Sequence, residues 1–205
     1  MRAKQPKVSY RFYRFCFKLA NPFVRFFRPF DVVGSENIID GAALVCSNHS
    51  ALIDPFQIAL AIGVDDPVHI IAKVELFKIP LISKILRKLG MICVDRSIND
   101  ISSIKSSLNY LKKGEKVVIF PEGTRHSKHD AGAAKSGAVK LAERANVPVI
   151  PVFVPRKKSV FRRSRLVFGK PYIIEKQTEK RTAAEYTKLA EELMNSIQAL
   201  DESIS

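Results

Sequence analysis

The chain has few of the features that assign a protein quickly. Cysteine is scarce: Cys16, Cys46 and Cys93 are scattered through 205 residues, with no Cys-x-x-Cys pair. That spacing gives no basis for a disulfide framework or a zinc site and fits a reducing cytosol. No apolar run approaches the ~18 residues of a membrane-spanning helix. The N-terminus interleaves arginines with aromatics, without the clean apolar core of a signal peptide. Internal repeats and low-complexity linkers are also missing, and the length suits one domain with a substantial core. Acid is in short supply, with 20 Asp and Glu against 34 Lys and Arg, a formal net charge of +14. An imbalance of this size bounds the partner to something anionic: nucleic acid, anionic lipid or a phosphorylated substrate.

Residues 1–30 hold eight Lys or Arg and no acid, interleaved with aromatics from Tyr10 to Phe30. On a helix advancing about 100° per residue, Arg11, Arg14 and Lys18 fall on one side and the aromatics cover the rest. Asn21-Pro22 interrupts the pattern, and Arg25 and Arg28 repeat it against further phenylalanines. The expectation is two short amphipathic helices suited to an anionic bilayer surface. The alternative is that the aromatic faces pack on the domain and the arginines are merely solvated.

The most informative stretch runs from Ser47 to Pro55. The apolar run Ala42–Cys46 reads as a strand, and a helical pattern begins at Pro55. Asp54 reads as the helix N-cap, with proline at the first helical position. His49 therefore lies in a tight strand-to-helix connection five residues before an acid. Imidazole titrates near neutrality and takes a proton from a hydroxyl more readily when a carboxylate fixes its tautomer. Taken alone, the pair reads equally as a loop histidine and a helix cap.

Around this stretch, strands alternate with helices. Residues 31–39 read as a strand and turn, and further strands are expected at 67–72, 91–94 and 116–120. Helices are expected at 73–89 with a break at Pro80, from Asn99 or Asp100 to Gly114, and at 135–145. Val147–Val154 carries Pro148 and Pro151, which mark it as an edge or lining strand. Arg156–Arg165 holds six basic residues around Val160-Phe161 and reads as a surface loop or hairpin. Thr182-x-x-Glu185 is a capping box that opens a final helix. The fold class is thus α/β: a single domain, 31–205, with a mostly buried mixed sheet flanked by helices, preceded by the amphipathic segment 1–30.

Four segments fall at strand ends. They are Asn48-His49-x4-Asp54, Gly90-x-Ile92-x3-Arg96, Phe120-Pro121-Glu122-Gly123-Thr124-Arg125 and the proline-bearing run Val147–Val152. In order and spacing they resemble the four motifs of the glycerolipid acyltransferase family, the lysophosphatidic acid acyltransferases. The third block is the most specific. The one departure is His126 where the family usually has serine, with Ser127 displaced by one.

The resemblance implies transfer of a fatty acyl group from acyl-CoA or an acyl carrier protein to the free hydroxyl of 1-acylglycerol-3-phosphate, giving phosphatidic acid. His49 would be the base and Asp54 its orienting partner. Arg96, Glu122, Gly123, Thr124 and Arg125 would bind substrate, the arginines as forks for phosphate. No metal or resident cofactor is implied. Lys73 points either at the site or at solvent, His69 reads as structural, and His126 and His129 as loop residues. Partners would be the anionic membrane surface, lysophosphatidic acid and the acyl donor, not nucleic acid. The location would be peripheral, on the cytoplasmic face of the membrane. A neighbouring reading changes the acceptor to glycerol-3-phosphate or another lysolipid. A rival class, a non-enzymatic basic module for membrane or nucleic acid, accounts for the charge but not for the Phe120–Arg125 block.

Overall fold

The computed structural model describes residues 8–95, 100–122, 136–156 and 161–202. Its seven strands form one mixed sheet: β1 (Phe30–Val33), β2 (Leu44–Ser47), β3 (Val68–Lys73), β4 (Ile92–Val94), β5 (Lys116–Ile119), β6 (Val149–Phe153) and β7 (Ser164–Phe168), in the order β1-β7-β6-β2-β5-β3-β4. All neighbours are parallel except β6 and β7. β2, β5 and β6 lie side by side in the middle, and their C-terminal ends open at the same edge. In parallel α/β sheets this is the edge that carries functional loops.

The strands are apolar on both sides because both faces are covered. On one face, α1 (Tyr10–Phe27) and α2 (Asp54–Ile62) pack Tyr13, Phe17, Ile58 and Ala59 against Val45, Val118 and Ile150. On the other, α5 (Ile101–Lys112), α6 (Gly137–Ala145) and α7 (Ala183–Glu202) pack Leu111, Val139 and Leu193 against Leu44, Val117 and Val149. The capping box closes as expected: Thr182 N–H donates to Glu185 Oε2 at 2.7 Å, and Glu185 N–H returns to Thr182 Oγ1 at 3.3 Å. Asp100 caps α5 by accepting from the N–H groups of Ser102 and Ser103.

Two expectations are corrected. Residues 10–27 form one continuous helix, not two, with Pro22 inside it. Pro22 lies on the exposed side, where water can serve the carbonyl freed by the missing N–H, while Tyr13, Phe17 and Val24 hold the helix to the core on either side. β6 is an interior strand rather than an edge. Pro151 O accepts from Gly169 N–H at 2.8 Å, so the side of Pro151 without a donor faces the end of β7. Proline cannot return a donor to Gly169, so the ladder loses one bond there, at the irregular Gly169–Pro171 stretch before Tyr172 pairs with Val149.

The remaining helices, α3 (Val74–Phe77) and α4 (Pro80–Lys88), sit between β3 and β4, and Gly90 ends α4 at φ +76°. Gly90 O accepts from buried His69 Nδ1 at 2.9 Å, and His69 Nε2 meets Glu115 Oε2 at 2.8 Å, which makes His69 a structural residue. A Cβ on Gly90 would fall 2.6 Å from His69 Nδ1. Gly90→Ala combines a left-handed backbone with overpacking and is expected to cost roughly 2–4 kcal/mol of stability, read as a lower urea midpoint. An unchanged midpoint would contradict this account of the glycine.

Candidate active site

The site is built where β2 stops. Asn48, the next residue, is buried and replaces the missing ladder: its Nδ2 donates to Val154 O at 2.8 Å, and its Oδ1 accepts from Val154 N–H at 2.8 Å. Ser50 Oγ donates to Pro155 O at 3.2 Å. The His49 loop is thereby stapled to the exit of β6.

Asp54 is not the N-cap that its position before proline suggests. It is the first residue of α2, and its fully buried carboxylate turns back into the loop. Oδ2 accepts from Ser50 N–H at 2.7 Å, Ala51 N–H at 2.8 Å and His49 Nδ1 at 3.0 Å. An ionised carboxylate only accepts, so Nδ1 carries the proton and Nε2 is the nitrogen left to take one. The imidazole stacks on Phe120, with centroids 4.2 Å apart, which fixes the ring plane.

Phe120 and Glu122 follow β5, the neighbour of β2. Glu122 is buried, and its Oε2 accepts from His49 N–H at 3.4 Å. Oε1 has no hydrogen-bond partner among the described residues. Arg156 Nη2 lies 3.6 Å from it, so the buried carboxylate faces a guanidinium two residues beyond the Asn48 clamp.

The structure therefore brings together His49, Asp54 and Glu122 among the expected residues. Gly123, Thr124, Arg125 and His126 lie outside the described residues, as do Arg96, Asn99 and His129. The β4 strand that leads to Arg96 runs parallel to β3 and so exits at the site's end of the sheet. Lys73 closes β3 at the same end and is exposed. His69 is committed to Gly90 and Glu115 and takes no part. Cys46 is fully buried in β2, where loss of hydration pushes its thiol well above the ordinary range, so it is no nucleophile. Sequence reasoning missed Arg156, counted only among the charges of a basic loop, and the roles of Asn48, Ser50 and Phe120. For Asn48, Ser50 and Phe120 the usable signal was position, within or beside a motif at the end of a central strand; Arg156 had none.

This constellation, a histidine held by a buried carboxylate beside a buried acid–guanidinium pair, can remove a proton from a hydroxyl next to an anionic group. The sequence model of the Acyltransferase family matches residues 29–155. The chain belongs to the acyltransferase family. Among its relatives, the 1-acyl-sn-glycerol-3-phosphate acyltransferase of Bacillus subtilis is 32% identical over 78% of this chain and 81% of its own length. A probable 1-acyl-sn-glycerol-3-phosphate acyltransferase of Mycoplasma pneumoniae is 33% identical over 60% of the chain, which spans only 48% of that relative. The crystal structure of the 1-acyl-sn-glycerophosphate acyltransferase PlsC from Thermotoga maritima superposes with a TM-score of 0.67 at 25% identity, over 96% of this chain and 80% of that one. The acyltransferase fold thus extends beyond the matched motif region to α1 and α7.

Proposed function

We propose that this acyltransferase moves a fatty acyl group from a thioester to the free hydroxyl of 1-acylglycerol-3-phosphate, giving phosphatidic acid. The observation that carries the reading is the His49–Asp54 pair, with Nδ1 3.0 Å from the carboxylate. Nε2 takes the hydroxyl proton as the oxygen attacks the thioester carbonyl. The C–O ester bond forms, the C–S bond breaks, and the proton passes from His49 to the departing thiolate. The transfer is direct, since Cys46 is sealed in the core. The reaction draws on no resident cofactor, and the names of the relatives support the acceptor.

Arg96 and Arg125 are assigned to the acceptor phosphate as bidentate forks. Glu122, faced by Arg156, leaves Oε1 for a donor from the substrate. Gly123 and Thr124 are assigned to substrate binding beside Glu122 and Arg125. The enzyme docks peripherally on an anionic, cytoplasmic membrane face. Supporting this, α1 has three faces. Tyr13 and Phe17 are buried, Arg11, Arg14 and Lys18 form a basic side, and Phe15, Leu19, Phe23 and Phe26 form an exposed apolar stripe. An exposed apolar stripe beside a basic one is the pattern of an interfacial helix. Phe161, which precedes β7, belongs to the same patch, because it packs on Phe26 and Phe27 with centroids 5.6 and 5.7 Å away. Among the described residues no helix is long and apolar enough to cross a membrane.

The test is thiol release with lysophosphatidic acid, run separately with long-chain acyl-CoA and with acyl carrier protein. Acceptor-dependent release with either donor is expected, and silence with both would defeat the reading. Glycerol-3-phosphate as the better acceptor would move the assignment to that substrate. Arg125→Ala is expected to raise KM for the phosphorylated acceptor about tenfold or more, as loss of a charge-assisted hydrogen bond does. An effect confined to the donor's KM would refute the phosphate role.

A further inference from the structure

The α3–α4 segment is the least explained part of the molecule. Neither helix buries a single residue, yet α4 is strongly sided. At about 100° per residue, Leu81, Ile85, Ile82 and Leu86 share one apolar stripe, with Lys84 and Arg87 opposite. Only the Leu86 edge of that stripe touches the core. Leu81 is 70% exposed, Ile82 36% and Ile85 38%. A helix of this pattern normally turns its stripe inward, and among the described residues nothing covers the rest of it.

We infer that α4 is a second bilayer-contact element, independent in sequence from α1 and laid against the same anionic lipid surface. The inference rests on the docking reading above and adds a second helix to it. Two observations favour lipid. α4 contains no acid and carries Lys84, Arg87 and Lys88, the charge complement of anionic headgroups. It is also continuous with α1: Ser9 N–H donates to Lys88 O at 3.0 Å, and Lys88 Nζ lies 5.4 Å from the centre of the Phe12 ring. The segment leaves the sheet after β3, at the end where the His49 loop sits, so α4 and α1 together would hold that end against the membrane.

The chain contains no tryptophan, so one introduced indole reports alone. Leu81→Trp and Phe23→Trp, each in the full chain, are titrated with phosphatidylglycerol–phosphatidylcholine vesicles with and without brominated acyl chains. Blue-shifted emission quenched by bromolipid at both positions is expected. A response at 23 without one at 81 overturns the inference and leaves docking through α1 intact. Silence at both positions overturns the docking reading as well. A shift at 81 without vesicles that grows with protein concentration would show a second copy covering α4. A shift produced only by acyl carrier protein would show a carrier site, and either result overturns the inference. The pair Leu81→Asp and Ile85→Asp, made together, should weaken vesicle binding about tenfold or more. Because α4 buries no residue, its thermal midpoint should match that of the natural chain. Unchanged binding would again reject α4 as a contact.

Discussion

His49→Ala should abolish acyl transfer while leaving the loop standing. The Asp54 carboxylate would keep its bonds from the Ser50 and Ala51 N–H groups, and Asn48 would keep both bonds to Val154. What disappears is the acceptor of the hydroxyl proton. General-base assistance is worth about 10²–10⁴ in rate, so kcat should fall by at least that factor, with little change in acceptor KM. The measurement is initial-rate thiol release under saturating donor, beside a thermal unfolding midpoint. Turnover within about tenfold of the natural enzyme would remove His49 from the chemistry.

Asp54→Asn separates charge from geometry. The amide oxygen can still accept where Oδ2 does, so the loop should form. The negative charge that stabilises the imidazolium is gone, and the opposite amide orientation would favour the wrong tautomer of His49. A loss of about 10²–10⁴ in kcat is expected for a base stripped of its orienting carboxylate. Asp54→Ala should be worse in a different way. It leaves the Ser50 and Ala51 N–H groups short of an acceptor, at roughly 1–3 kcal/mol each where they are buried, and should lower the unfolding midpoint as well as the rate. If Asn and Ala gave the same rate and the same midpoint, the carboxylate would be serving the fold alone.

The His49–Asp54 pair was legible because it is local: five residues of spacing bring both groups into one turn, and the proline fixes where the helix starts. Even so, the pattern left Asp54 two orientations, forward as a cap of α2 or back toward His49, and it faces back. Distinguishing the two takes the positions of the Ser50 and Ala51 amides, which no spacing rule encodes. Arg156 was illegible for a longer-range reason. Its meaning depends on β6 lying beside β2, a pairing between segments a hundred residues apart, and the family match stops one residue before it. Pro22 was read as a break and Pro151 as the mark of an edge or lining strand, because proline removes a donor. The structure turns the donorless side of Pro22 to solvent, and at Pro151 it gives up one return bond to Gly169 while β2 holds the strand on its other side. The α4 stripe was visible in sequence, but periodicity tells which residues share a face and not what covers it.

The Asn48 clamp has a consequence for synthesis. Its two bonds reach 106 residues ahead, to Val154. On the ribosome the histidine loop emerges early, flanked by a strand whose two neighbours have not yet been made. Until β5 and then β6 are translated and docked, Asn48 and Glu122 lack the partners described above, and Ser50 has only its local bonds to Asp54. The nascent chain thus carries the His49 loop through most of translation in unassembled form, and the loop is complete only once the proline-bearing strand has left the exit tunnel.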